Sequence, residues 1–129
     1  MKKVLVIDDS TTMRRIVKNV VKKLLPDVDL DEAEDGQVAV EKLREAEKTK
    51  PFDVILCDIN MPNMNGFEVL QYIKKQNEMT GDYEDLYKVM ITTEGGKAEV
   101  IKALKLGANQ YIVKPFTPQV LKEKLSLVL

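Results

Sequence analysis

Short apolar runs alternate along this chain with stretches of helical periodicity, β then α, five times over. Lys3 to Asp8 (KVLVID) and Phe52 to Asp58 (FDVILCD) are nearly continuous apolar runs that end in acids. Such runs are strands buried on both faces, as in a parallel sheet, rather than strands with one wet face. Val28 to Glu34 sets Val28, Leu30 and Glu32 against intervening acids and reads as a short strand near a sheet edge. Lys88 to Thr92 (KVMIT) ends in hydroxyls, and Gln110 to Lys114 (QYIVK) in a lysine. Between these runs the apolar spacing is helical. Met13, Ile16, Val17, Val20, Val21 and Leu24 form one face after the capping candidates Ser10-Thr11-Thr12, and Pro26 marks its end. Val40, Leu43 and Ala46 follow Gly36. Phe67, Leu70 and Ile73 follow the Asn65-Gly66 turn. Val100, Ile101 and Leu104 follow Gly95-Gly96 and stop at Gly107. Val120, Leu121, Leu125 and Val128 follow the cap Thr117-Pro118. Parallel strands with crossover helices predict a doubly wound α/β sandwich, covered on both faces.

The bulk numbers agree with one such domain over residues 1–129. At this size about two-thirds of the chain's surface can be buried, enough for a core without disulfides. A hydrophobic content of 44% with 32% charged residues excludes a disordered tail. No apolar run approaches the roughly 18 residues of a membrane span, and the first four apolar residues are too few for a signal peptide. The single cysteine, Cys57, sits mid-strand and reads as a small core residue; with no possible internal disulfide the chain is expected in the cytoplasm. Residues 95–129 carry a net charge of +4 and residues 1–94 a net of −5. The basic end is either solvated helix surface or a face for an acidic partner. Sparse aromatics and the absence of a dense basic cluster exclude nucleic acid. Histidine is absent. No imidazole can serve as general base, metal ligand or phosphoryl carrier, so Ser-His-Asp and Cys-His catalysis are excluded.

The polar residues that end the strands are the candidate site. Ligand crevices in open α/β sheets lie outside the carboxyl ends of the strands. Asp8, Asp9, Asp58, Thr92 and Lys114 all fall at that edge. Taken singly, each has an ordinary reading: Asp8 or Asp9 as a helix cap, Asp58 as a turn residue, Thr92 as a strand former, Lys114 as a solvated cation. Together they set mutually repelling carboxylates beside one cation. A small, oxygen-preferring divalent ion such as Mg²⁺ relieves that repulsion. Six acids between Asp27 and Asp35 read as a solvated edge strand, and Asn77 to Tyr87, with Gly81 and four acids, as a solvent loop.

The stretches Val6-Ile7-Asp8-Asp9-Ser10, Leu56-Cys57-Asp58-Ile59-Asn60-Met61-Pro62, Met90-Ile91-Thr92-Thr93-Glu94 and Tyr111-Ile112-Val113-Lys114-Pro115-Phe116-Thr117 resemble the response-regulator receiver family over the whole chain. The wording around Asp58 and Lys114 is similar to that of its single-domain chemotaxis members. The resemblance implies a flavodoxin-like (βα)5 fold with strand order 2-1-3-4-5. It implies Asp58 as phosphoacceptor, and Mg²⁺ held by Asp8, Asp9, Asp58 and the backbone carbonyl of Asn60. Lys114 and Thr92 would meet the phosphoryl oxygens, across a cis Lys114-Pro115 peptide. Thr92 and Tyr111 would act as the switch, with Tyr111 passing from exposed to buried. Asn60 and Glu94 would set the lifetime of the phosphoryl group. The implied partners are a chemotaxis histidine kinase as phosphodonor and the flagellar motor switch protein. The latter would be met by the fourth helix, fifth strand and fifth helix of a monomer. The chain would catalyse only its own phosphorylation and dephosphorylation. A phosphorelay intermediate, passing the group on to a histidine phosphotransfer protein, would use the same residues. A phosphohydrolase fits less well, because no second carboxylate stands two residues after an acceptor: Asp58 is followed by Ile59-Asn60.

Overall fold

A computed structural model describes residues 1–129. The five strands are β1 (Lys3–Ile7), β2 (Asp29–Ala33), β3 (Val54–Cys57), β4 (Tyr87–Thr92) and β5 (Gln110–Val113). The helices that follow them in turn are α1 (Thr11–Leu24), α2 (Gly36–Ala46), α3 (Gly66–Thr80), α4 (Lys97–Lys105) and α5 (Pro118–Ser126). All neighbouring strands are parallel, in the order β2-β1-β3-β4-β5. The doubly wound sandwich expected from the alternation and the strand order implied by the resemblance are the ones observed.

Alternation along the strands divides the core in two. Leu5 and Ile7 of β1, Ile55 and Cys57 of β3 and Met90 of β4 pack toward α2, α3 and α4. Val4 and Val6, Val54 and Leu56, and Val89 and Ile91 pack toward α1 and α5. Each strand thus serves both layers, which is why these runs had to be apolar throughout. Ser10, Asp35, Asn65 and Thr117 cap α1, α2, α3 and α5 through side-chain oxygens, and Asn65 forms a capping box with Glu68. Only α4 starts on a residue without a side-chain cap, Gly96.

Four sequence expectations need correction. The apolar stripe of α4 is largely outside: Ile101 is 42% and Leu104 49% exposed, while Ala103 is the buried contact. A helix resting on the sheet through a methyl group leaves its larger apolar side chains at the edges of the contact. Val120 of α5 is likewise 37% exposed, with Leu121 and Leu125 making the core contacts. The 77–87 stretch is a solvent loop only in part: its four acids and Gly81 are exposed, as expected, but the rest is anchored. Its first residues extend α3, which closes on Gly81 in the left-handed region at φ 74°. Tyr83 and Leu86 are buried, with the Tyr83 ring 6.3 Å from that of Tyr72. The acidic 27–35 stretch is not simply solvated either. Asp35 is buried, Glu32 is paired with Arg14 and Lys18, and Asp31 with Lys42.

Gly66 shows how tightly the helix layer presses on the strand ends. A Cβ there would lie 2.2 Å from the carbonyl oxygen of Asp58. Backbone cannot move aside as a side chain can. Gly66→Ala is therefore expected to cost about 1–3 kcal/mol, read as a lower urea midpoint with an unchanged slope.

Candidate functional site

The strand ends deliver the acids because the ladders continue one residue beyond them. Asp8 N–H donates to the Ala33 carbonyl at 3.1 Å and Asp58 N–H to the Ile7 carbonyl at 2.9 Å. Asp8 and Asp58 are thereby held as neighbours, both buried, with Asp9 exposed beside them. Carboxylate oxygens of all three lie within 4.8 Å of one another.

Lys114 enters from the far side of the sheet. Its Nζ lies 2.8 Å from Asp8 Oδ2 and 3.1 Å from Asp58 Oδ2. Its backbone N–H donates to the Thr92 carbonyl at 2.7 Å, and the Lys114-Pro115 peptide is cis, as the resemblance implied. Burial pulls the ammonium toward its neutral form. The hydrogen bond to Asp8 and the charge of Asp58 outweigh burial, so its pKa stands above the usual lysine value. The other carboxylate oxygens are held by backbone: Asp58 Oδ1 accepts Ile59 N–H at 2.7 Å, and Asp8 Oδ1 accepts Ser10 N–H at 2.9 Å.

One ammonium facing three carboxylates leaves a formal excess of negative charge. The donors are all oxygen, and Asp9 adds an exposed carboxylate to the two buried ones. This chemistry fits a hard divalent cation, and the cluster is able to bind a metal.

The remaining residues singled out in the sequence gather round this cluster. Thr92 is fully buried, and its Oγ accepts Glu94 N–H at 3.2 Å. Asn60 Nδ2 donates to Glu94 Oε1 at 2.7 Å, linking the segment after β3 to the segment after β4. Tyr111 is half-buried, and its hydroxyl donates to the Glu94 carbonyl. Burial, then the charges of Glu94, Glu99 and Asp58, push this phenol above its ordinary pKa, so it stays a hydrogen-bond donor at neutral pH. Glu94 is therefore the shared residue, gripping Asn60 with its side chain and Tyr111 with its backbone. Cys57 is a core residue as read. It is fully buried, its Sγ donates to the Asp58 carbonyl at 3.1 Å, and burial pushes the thiol far from ionisation.

Two supporting contacts escaped the sequence reading. Arg14 Nη1 donates to the Asp8 carbonyl at 2.6 Å while Nε donates to Glu32 Oε1 at 2.7 Å, bracing the backbone that presents Asp8. Asp35 holds the segment after β3. Its Oδ1 caps Val38 N–H at 2.9 Å, its Oδ2 accepts from Asn63 Nδ2 at 2.9 Å, and Gly36 N–H donates to the Met64 carbonyl at 3.0 Å. No local pattern announces either one, because each depends on which loops the sheet order brings together. The Val38 and Asn63 hydrogen bonds, opposed by burial, hold the Asp35 carboxyl below its ordinary 3.8. A depressed folded pKa gives stability that is present above the unfolded value and lost as pH falls through the folded one. Asp35→Asn is thus expected to destabilise at neutral pH, where its amide faces the Asn63 amide. The gap from wild type should narrow below about pH 4. Urea titrations at neutral and acid pH check this.

Strand order and carboxylate cluster are those of a receiver, and the comparisons agree. The model of the response regulator receiver domain family matches residues 4–126, and the chain belongs to that family. It is 54% identical over 127 residues to the "Chemotaxis protein CheY homolog" of Campylobacter jejuni, covering 98% of this chain and 92% of the relative. Among solved structures it is similar to the chemotaxis response regulator CheY4 of Vibrio cholerae, with a TM-score of 0.83 and 34% identity over 100% of this chain and 99% of that one. It is also similar to the CheX-CheY-BeF3-Mg complex from Borrelia burgdorferi, with a TM-score of 0.80 and 28% identity over 99% and 90%. No helix is long and apolar enough to cross a membrane.

Proposed function

We propose that residues 1–129 act as one phosphorylation-controlled switch of chemotaxis, with Asp58 as its phosphoacceptor. The observation that carries this reading is the buried Asp58 carboxylate, held between Asp8 and Lys114 at the sheet edge. An Asp58 oxygen attacks the phosphorus of a phosphohistidine on a chemotaxis kinase. The P–N bond breaks, its electrons return to the donor imidazole, and an acyl phosphate forms on Asp58. The histidine must come from the donor, since this chain has none.

Asp8, Asp9, Asp58 and the Asn60 carbonyl would hold Mg²⁺, which would supply positive charge to the phosphoryl oxygens. Lys114, already within reach of Asp58 Oδ2, supplies the second positive charge. Thr92 donates its hydroxyl proton to the phosphoryl group, having only accepted a backbone N–H in the unmodified chain. Thr92 and Glu94 share that hydrogen bond, so a shift of Thr92 is transmitted to the Glu94 carbonyl and the Tyr111 hydroxyl. Tyr111 then settles deeper. Asn60 and Glu94 flank the acceptor and set how readily water hydrolyses the acyl phosphate. The Borrelia complex contains BeF3 and Mg²⁺ together with CheX and CheY, in keeping with this reading. The output partner is the flagellar motor switch protein, met by α4, β5 and α5, where Leu104, Val113 and Val120 are exposed.

Incubation with acetyl phosphate and Mg²⁺ tests the acceptor. Mass spectrometry is expected to find one phosphoryl group on the peptide holding Asp58, removed by hydroxylamine. A label on another residue, or none at saturating donor and cation, would refute the assignment.

A further inference from the structure

Away from the carboxylate cluster, a groove runs between α3 and α4. Two cavities, of about 500 Å³ and about 350 Å³, lie along it and share Gln71 and Leu106 in their linings. Its floor is apolar: Leu106 is half-buried and Ile101 is exposed. Its walls are cationic, with Lys74 and Lys75 from α3 and Lys102 and Lys105 from α4. The one carboxylate in its lining, Glu78, already pairs with Lys74 at 3.2 Å. Lys102 is held in place over the Phe67 ring, 4.3 Å from the centroid.

We propose that this groove docks an acidic amphipathic helix of a partner protein, with apolar side chains on the Leu106–Ile101 floor and carboxylates against the lysines. Charge complementarity selects the occupant. A second copy of this chain does not supply it, because none of the five helices carries a net negative charge. Asp31 and Glu32 of the acidic edge strand are already paired with Lys42, Arg14 and Lys18. The groove shares α4 with the α4-β5-α5 face but lies on the side of that helix toward α3, away from Val113 and Val120, and it contains none of the carboxylate cluster, so the proposal stands whether or not Asp58 is the phosphoacceptor.

The test uses the full chain and a synthetic helical peptide of about 18 residues, with leucines at i, i+3, i+4 and i+7 and glutamates on both flanks. Backbone amide shifts are expected to centre on Gln71, Lys75, Ile101, Lys105 and Leu106. By fluorescence anisotropy, the double variant Lys75→Glu/Lys105→Glu should bind about tenfold more weakly or worse, and the control Lys122→Glu/Lys124→Glu within about twofold of wild type. Both pairs lie on exposed helix surface, and circular dichroism confirms that the variants are folded. A peptide with alanine in place of leucine should lose at least about tenfold. Shifts centred on Val113 and Val120, equal losses in both variants, or undiminished binding of the alanine peptide would overturn the proposal. So would tighter binding of a single-stranded oligonucleotide, or a dimer in sedimentation that Lys75→Glu/Lys105→Glu dissolves.

Discussion

Asp58→Asn is expected to abolish Mg²⁺-dependent labelling by acetyl phosphate, lowering the rate by a factor of about a thousand or more, as expected when the attacking atom itself is removed. An amide oxygen is too weak a nucleophile to displace phosphate. The fold should survive. Asn keeps an Oδ1 acceptor for Ile59 N–H, and the substitution removes one negative charge from a group that carries too many. The melting temperature without divalent cation should therefore be unchanged or higher, while Mg²⁺ binds more weakly. Phosphate-release and calorimetric measurements separate the two effects. Retained labelling in this variant would move the acceptor elsewhere.

Lys114→Ala should act in the opposite sense on stability. The ammonium is the one cation paired with the carboxylates of Asp8 and Asp58, at 2.8 Å and 3.1 Å. Without it two buried carboxylates face each other unneutralised. Removing one partner of a buried ion pair costs about 3–5 kcal/mol, and the slight solvent access of all three side chains places the expected loss toward the lower end. Saturating Mg²⁺ should restore part of that loss, because the cation takes over the neutralisation and binds the variant more tightly. Chemical denaturation with chelator and with Mg²⁺ measures both. The raised pKa of Lys114 sets the pH window. Its contribution is complete below the ordinary lysine pKa as long as the carboxylates are ionised, and disappears as pH rises through the folded value, so on the alkaline side wild type and variant should converge only at strongly basic pH. In function, Lys114→Ala is expected to allow some phosphorylation but to uncouple it from partner binding. Equal gains in partner affinity on phosphorylation of variant and wild type would remove Lys114 from the switch.

The sheet and its helices were legible because both signals are local. The runs KVLVID and FDVILCD are apolar at every position that the two packed faces require, and their terminal acids fall where parallel strands put a crevice. The helix faces were legible only in part. Periodicity identifies which residues share a side, not how closely that side approaches the sheet. It served α1, where Val17, Val20 and Val21 are buried, and misled for α4, where Ala103 is buried in place of its larger neighbours. The 77–87 segment was read in part: its conspicuous acids are exposed as expected, whereas the anchors Tyr83 and Leu86 are two isolated residues without a period. The meeting of Asp8, Asp9, Asp58 and Lys114 was legible because all four fall at the carboxyl ends of parallel strands. The bracing of Asp8 by Arg14 and of the post-β3 segment by Asp35 did not, since side-chain reach across loops leaves no trace in spacing.

The way α4 is attached sets how cheaply the molecule can change its outline. The helix has no capping side chain at its start and seats itself through Ala103, so it can tilt or slide without evicting a large group from the interior. Rearrangement there leaves both hydrophobic layers whole. The surface that a partner reads can thus be redrawn while the part that keeps the chain folded stays still.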